Sequence, residues 1–140
     1  MIIVSACLLG DNCKYNGGNN LSEKLVEHLR GKEIMKLCPE LEAGLGVPRP
    51  PIELKDGVPY RECGECVEEP LNSAIERIKA RLDGKEIEYA ILKSRSPTCG
   101  ASSIYDGSFT HTLIPGQGIL ARALTALGIK VIDSDDITGG

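Results

Sequence analysis

Six cysteines punctuate 140 residues, and Cys7, Cys38 and Cys99 each follow a segment with the pattern of a β-strand or its exit loop. Thiolates are the side chains that hold soft transition metals. Residues leaving the carboxyl ends of neighbouring parallel strands converge on one rim, where open α/β folds build their ligand sites. The placement therefore predicts one shared metal site. The alternative is that the three are small buried hydrophobes, a common fate of free cysteine. Cys63 and Cys66, at C-x-x-C spacing ahead of a helical pattern, fit a redox pair or half of a zinc site. Zinc would need two more ligands, and taking them from Cys13 and a rim cysteine would dismantle the first site. Cys13, in a loop rich in Gly and Asn, is placed beside the site rather than among its ligands.

The elements that must position these thiols follow from pattern. Residues 2 to 7 (IIVSAC) are an apolar β-branched run without polar alternation, as in a strand covered on both faces. A helix over LSEKLVEHLRG would bury Leu21, Leu25, Val26 and Leu29, with Gly31 as its stop. Residues 33 to 38 (EIMKLC) return as a second strand, and a strand-helix-strand unit of this length calls for a right-handed parallel crossover. From Pro39 to Tyr60 the prolines, among them Pro48, Pro50 and Pro51, exclude regular helix from most of the segment. It is expected to be an ordered cover, with a small hairpin about Asp56-Gly57. Val67, Leu71, Ala74, Ile75, Ile78 and Leu82 then recur at helical spacing up to Gly84. Residues 88 to 93 supply a third strand, the stretch GQGILARALTALG after Pro115 is helical by Ile119, Leu120, Ala123, Leu124 and Leu127, and IKVID gives the last strand. The expected fold is a single three-layer Rossmann-like α/β domain over residues 1–140, with a mainly parallel four-stranded sheet ordered second, first, third, fourth.

Composition removes several function classes. Hydrophobic residues at 41% and charged residues at 26% are globular values. With no Trp and one Phe the core must be built from aliphatic residues. A net charge of −4 gives no electrostatic reason to hold a phosphate backbone, although a local basic patch at Lys93 and Arg95 stays possible. No stretch reaches membrane-span length, and MIIVSACLLG lacks the basic leader of an export signal. A cytoplasmic protein is expected, and in a reducing compartment six cysteines favour ligation or redox chemistry over disulfides.

The motifs SACLLG, CPE, PRPP, LKSRSPTCG, YDGSF and PGQG, in this order, cover most of the chain and resemble the thiouracil desulfidase family. The resemblance implies a compact Rossmann-like enzyme that holds a 4Fe-4S cluster through three cysteines, here Cys7, Cys38 and Cys99, with the fourth iron open. It further implies that Glu40 of CPE and Ser96 of SPTCG assist the chemistry. The implied reaction replaces the sulfur of a thiolated, thiouracil-like small molecule by oxygen and releases sulfide without net redox change. Glu40 would activate water and Ser96 would donate to a ring nitrogen. The chain departs from the family where a longer stretch with a D-V-T motif usually stands, carrying GVPYRECGECVEEP instead.

Other residues carry chemistry of lower specificity. Gly116-Gln117-Gly118 opens a helix and either presents N–H groups to an anion or makes a tight turn; it lacks the full dinucleotide fingerprint. Arg49 and Arg95 flank the expected mouth and would grip an anionic substrate or remain solvated. His28 and His111 are expected to be structural, with a Cys99–His111 hydrolase pair as the variant reading. From a different class comes a non-catalytic zinc or thiol-based binding module built on Cys63 and Cys66. Neither composition nor pattern fixes an oligomeric state.

Overall fold

The computed structural model describes residues 1–138. β1 (Ile2–Ser5) is buried at all four positions and pairs in parallel with β2 (Ile34–Leu37) on one side and β5 (Tyr89–Leu92) on the other. β8 (Val131–Asp133) adds in parallel beyond β5, so the sheet runs β2-β1-β5-β8. This is the strand order expected from the sequence.

Alternation along the strands sends side chains to two opposite helical layers. Ile2, Val4 and Ile91 pack with Leu25 and Leu29, the apolar face of α1 (Glu23–His28) and its end. Ile3, Leu37, Ala90 and Leu92 pack with Leu71, Ile75, Ile78 and Leu82 of α3 (Glu68–Leu82) and with Leu120, Ala121 and Leu124 of α4 (Ile119–Ala126). A last turn, α5 (Asp135–Thr138), follows β8. α3 is well specified locally: Glu68 and Glu69 open it and Lys79 and Arg81 close it, matching the helix dipole. No helix among the described residues is long and apolar enough to cross a membrane.

Two expectations shift at the first helix. α1 begins only at Glu23, because Ser22 caps it by accepting the Leu25 N–H at 3.2 Å. Leu21 therefore precedes the helix and Val26 turns outward, both exposed, while Leu25 and Leu29 are buried as expected. Cys7 lies in a 3-10 turn (Ala6–Leu9) just past β1 instead of closing the strand.

The segment from Pro39 to Tyr60 is ordered. It opens with a one-turn helix, α2 (Pro39–Glu42), which the prolines permit because Pro39 stands at the first helical position, where no N–H is needed. Glu42 of α2 is held on α3 by Arg81 (Nη1 to Oε1, 2.6 Å), and Arg77 Nη2 donates to its carbonyl at 2.7 Å. β3 (Ile52–Lys55) and β4 (Val58–Arg61) make the hairpin about Asp56 and Gly57. A second antiparallel hairpin, β6 (Ser103–Tyr105) with β7 (Leu113–Pro115), carries what the sequence shows only as loop.

The loop bearing Cys99 is gripped by the start of α4. Gly118, Ile119 and Leu120 donate their N–H groups to the carbonyls of Gly100, Pro97 and Thr98 at 2.8–3.0 Å. The Gly116 and Gly118 amides, bonded to the carbonyls of Ser102 and Gly100, are thus spent on the protein, which favours the tight-turn reading of Gly116-Gln117-Gly118 over an anion site. Gly118 is required by proximity: a Cβ there would stand 2.4 Å from the carbonyl carbon of Thr98. Gly118→Ala is expected to lower stability by about 1–3 kcal/mol, seen as a reduced urea midpoint at unchanged slope. A midpoint equal to that of the natural chain would show that the grip is loose.

Candidate functional site

At the carboxyl rim of the sheet, Ser5, Lys93 and Ser94 close the strand ends. The Lys93 N–H donates to Ser5 Oγ at 2.9 Å, and the Ser94 N–H to Ser134 Oγ at 3.0 Å. Over this rim opens a cavity of about 650 Å3 whose walls include Cys7, Cys13, Cys38, Cys99, Glu40 and Ser96. Each expected site residue therefore reaches one chamber. Cys7 comes from the turn after β1, Cys38 caps α2 after β2, and Cys99 comes from the loop after β5.

The sulfurs receive hydrogen bonds. Asn20 Nδ2 donates to Cys7 Sγ at 3.3 Å, and Asn20 is itself fixed by its N–H to the Cys7 carbonyl at 2.9 Å. The Thr98 hydroxyl lies 3.6 Å from Cys99 Sγ, and the Ser5 hydroxyl is within reach of the same sulfur. The Cys38 thiol lies 3.7 Å from Glu40 Oε2, 3.9 Å from the Cys13 carbonyl and within reach of the Cys13 sulfur. Donors aimed at sulfur are what hold and tune thiolate ligands. They set this group apart from cysteines buried only as apolar filler.

Burial pushes all four of these thiols above the ordinary 9.0. For Cys99 the value reaches about 12, from burial first and the Glu40 carboxylate second, against the pull of Ser5 and Thr98. Cys38 is raised by burial and then by Glu40, and Cys7 by burial opposed by Asn20 and Lys93. Raised thiols are poor nucleophiles at neutral pH. His111 faces Tyr105 edge-on with ring centroids 5.9 Å apart, and the partners of the Cys99 sulfur are hydroxyls, so the hydrolase pairing finds no support. Metal binding would instead draw the protons off.

Glu40, 7% exposed, is oriented by Thr98, whose Oγ1 donates to Oε1 at 2.9 Å. Ser96 Oγ accepts the N–H groups of Thr98 (3.2 Å) and Cys99 (3.0 Å) and lies 3.2 Å from Thr98 Oγ1. A hydroxyl chain Ser96–Thr98–Glu40 results. Thr98, fully buried, and Asn20 went unnoticed in the sequence. A hydroxyl two residues after Ser96 and an amide in the Asn-rich loop were the available signals. Cys13 is a neighbour of the site as expected, buried, with its carbonyl 3.9 Å from the Cys38 thiol.

Among the described residues no group of three or more His, Cys, Asp or Glu side chains is placed to hold a single metal ion. A cluster that offers a separate iron to each thiolate spreads its ligands more widely, and three cysteines on one cavity, with the Asn20 amide donating to the Cys7 sulfur, fit that donor set. Cys63 and Cys66 sit on the exposed turn after β4, outside the cavity lining. Arg49 lines the cavity but spends its guanidinium on the carbonyls of Gly46 and Cys13, both at 2.9 Å. Arg95, at the same wall, lies 4.0 Å from Asp135. His28 is exposed and lies 3.4 Å from the Tyr89 hydroxyl.

A model of the 2-thiouracil desulfurase family matches residues 2–136. An uncharacterized protein of Bacillus subtilis (strain 168), YbbK, is 33% identical over 147 residues, spanning 98% of this chain and 97% of the relative. A solved structure described as the [4Fe-4S]-dependent thiouracil desulfidase TudS superposes with a TM-score of 0.88 at 33% identity, over 97% of this chain and 91% of the other.

Because these thiols are raised above 9.0, the folded chain retains protons that the unfolded chain releases as pH climbs past that value. Stability of the metal-free protein is then full below pH 9 and is lost above it, by up to about 1.4 kcal/mol per pH unit for each such thiol. Urea midpoints of metal-free protein measured from pH 8 to 10.5 are expected to fall; a flat profile would show the thiols to be unperturbed.

Proposed function

The chain belongs to the 2-thiouracil desulfurase family, and from that premise we propose that residues 1–140 form a single iron–sulfur-dependent desulfidase domain acting on thiouracil-like small molecules. The observation that carries the reading is the gathering of Cys7, Cys38 and Cys99 with Glu40 and Ser96 on one cavity at the sheet's carboxyl rim. Cys7, Cys38 and Cys99 would hold the 4Fe-4S cluster. When bound by three thiolates, such a cluster supplies one iron with an open position, a Lewis acid for the sulfur of a thiocarbonyl group.

The chain's own residues do the remainder. Walls contributed by α2 and by the β3–β4 hairpin, through Pro39, Glu40, Ile52 and Glu53, restrict water around the bound ring. Glu40, kept in orientation by Thr98 Oγ1, takes a proton from the water that attacks the thiocarbonyl carbon. Ser96 Oγ already accepts two amide N–H groups, so its hydrogen is left to donate to Thr98 or to a ring nitrogen of the substrate. Water supplies the oxygen, the C=S carbon becomes C=O, sulfide leaves, and no electrons are exchanged. The six free thiols suit a reducing cytoplasm.

Protein purified or reconstituted without oxygen is expected to be brown, with about four irons, and to release sulfide from 2-thiouracil. Glu40→Gln is expected to keep its iron and lose about 10²–10⁴-fold in turnover. Cys7→Ser, Cys38→Ser and Cys99→Ser are expected to lose iron, and Cys13→Ser to retain it. Colourless protein holding stoichiometric zinc would instead favour the binding module on Cys63 and Cys66, and undiminished turnover in Glu40→Gln would remove Glu40 from the mechanism.

A further inference from the structure

We propose that Glu53 is a positioning residue that fixes the ring of Phe109 as the wall on which a planar heterocyclic substrate stacks, making the loop between β6 and β7 the specificity element of the site. The inference rests on the desulfidase reading above and adds to it the residues that select a ring.

Aromatic side chains are scarce here: four Tyr, one Phe and no Trp. Three of these five, Tyr15, Tyr105 and Phe109, line the same cavity as the rim cysteines, and His111 joins them there in its edge contact with Tyr105. An aliphatic core has no call on them. Faces of aromatic rings at a cavity wall are the ordinary means of holding a flat heterocycle, and stacking tolerates variation in ring substituents.

The loop is held in a conformation it would not adopt unaided. Phe109 (φ +58°) and His111 (φ +61°) both occupy the left-handed region, which bulky side chains rarely enter. Such backbone persists where surrounding contacts enforce it, and it concentrates at ligand clamps. The enforcing contacts converge on Glu53. Its Oε1 accepts the N–H groups of Gly107 and of Phe109, each at 3.1 Å. Asp106 Oδ1 accepts the Ser108 N–H (2.9 Å) and Oγ–H (2.6 Å), and the Asp106 N–H donates to the Thr112 carbonyl at 2.9 Å. Gly107 lies so close to β3 that a Cβ would stand 2.6 Å from Lys55 Cβ.

Glu53 is 7% exposed, and a buried carboxylate is costly unless its hydrogen bonds are made. The bonds made by Oε1 go to the main chain of this one loop, at the residue that carries the phenyl ring and at the glycine pressed on β3. Its carboxylate therefore acts on the ring through the backbone.

The test compares Glu53→Ala, Glu53→Gln, Phe109→Ala and Phe109→Tyr in anaerobically reconstituted enzyme. KM and kcat for 2-thiouracil are measured beside iron content and hydrogen exchange at the Gly107 and Phe109 amides. Glu53→Ala and Phe109→Ala are expected to raise KM about tenfold, with kcat within about threefold and iron unchanged. Glu53→Gln, whose amide oxygen still accepts both N–H groups, should recover KM, as should Phe109→Tyr, which keeps the ring. Exchange at the two amides should quicken in Glu53→Ala and not in Phe109→Ala. An unchanged KM in Phe109→Ala would overturn the stacking wall. A collapse of kcat at constant KM in Glu53→Gln would overturn the positioning role and make Glu53 a proton-transfer group. Should Glu53→Ala fail to fold, the other three variants decide. If the natural chain carries four irons and releases no sulfide, the desulfidase reading fails by itself; broadening of the fluorine signal of 5-fluorouracil, present in the natural chain and lost in Phe109→Ala, would still uphold the ring wall, and its absence would overturn it.

Discussion

Parallel pairing of β1 with β2 and with β5 is the constraint on which the site depends. Ile2 stands opposite both Ile34 and Tyr89, so Ser5, Leu37 and Leu92 finish at one edge. Cysteines far apart in the chain are then delivered to the same edge by the next few residues of each connection. A slip of one residue would exchange the two faces of β1, sending Ile3 toward α1 and Val4 toward α3. Both faces are fully buried and differently packed, so the register is strongly specified. The Ser5 hydroxyl adds a lock at the rim itself by receiving the Lys93 N–H.

The polar atoms of the rim are arranged so that a buried carboxylate and four thiols coexist. Glu40 has Thr98 and Cys38 as donors, and its negative charge raises the Cys99 and Cys38 thiols. In the chain alone these thiols hold their protons, so the rim adds no thiolate charge beside the Glu40 carboxylate. Loss of the protons becomes favourable only with a cationic partner. The Asn20 amide already donates to the Cys7 sulfur, at 3.3 Å. The Cys99 loop is held as well, its carbonyls bonded by the first amides of α4.

Much of this was legible in the sequence, for identifiable reasons. β1 and α3 announce themselves because one is apolar throughout and the other repeats at 3.6 residues over four turns. The Asp56-Gly57 hairpin follows from its turn residues. Leu21 and Val26 misled because a short helix has too few turns for periodicity to fix its start, and the cap at Ser22 decided it. β6 and β7, three residues each, are too short for alternation to register, and they are specified by the Asp106 turn and by Glu53 of the adjoining hairpin. Thr98 could not be singled out, since its weight comes from a contact with Glu40 across 58 positions of chain. Glu53 was hidden for the same reason.

Chemistry and recognition divide between two structural sources. Proposed ligands and proton-moving groups stand on the rim of a rigid parallel sheet, where displacement of one group disturbs the others. The opposite wall comes from two small hairpins, β3–β4 and β6–β7, that are joined to each other through Glu53 and the Gly107 contact with Lys55. The strands of these hairpins give Ile52, Leu54 and Ile104 to the core, so freedom to vary is confined to their turns and flanks. The stretch after β4 illustrates this freedom. Cys63 and Cys66 occupy an exposed turn tied down by main-chain bonds between Arg61 and Glu65 and between Arg61 and Gly64. Such a turn asks for a glycine and hydrogen-bonded ends, and it leaves the side chains at 63 and 66 unconstrained by packing. A departure from the family pattern in that turn leaves the rim untouched, whereas one at Glu53 or Phe109 would reshape the chamber that faces it.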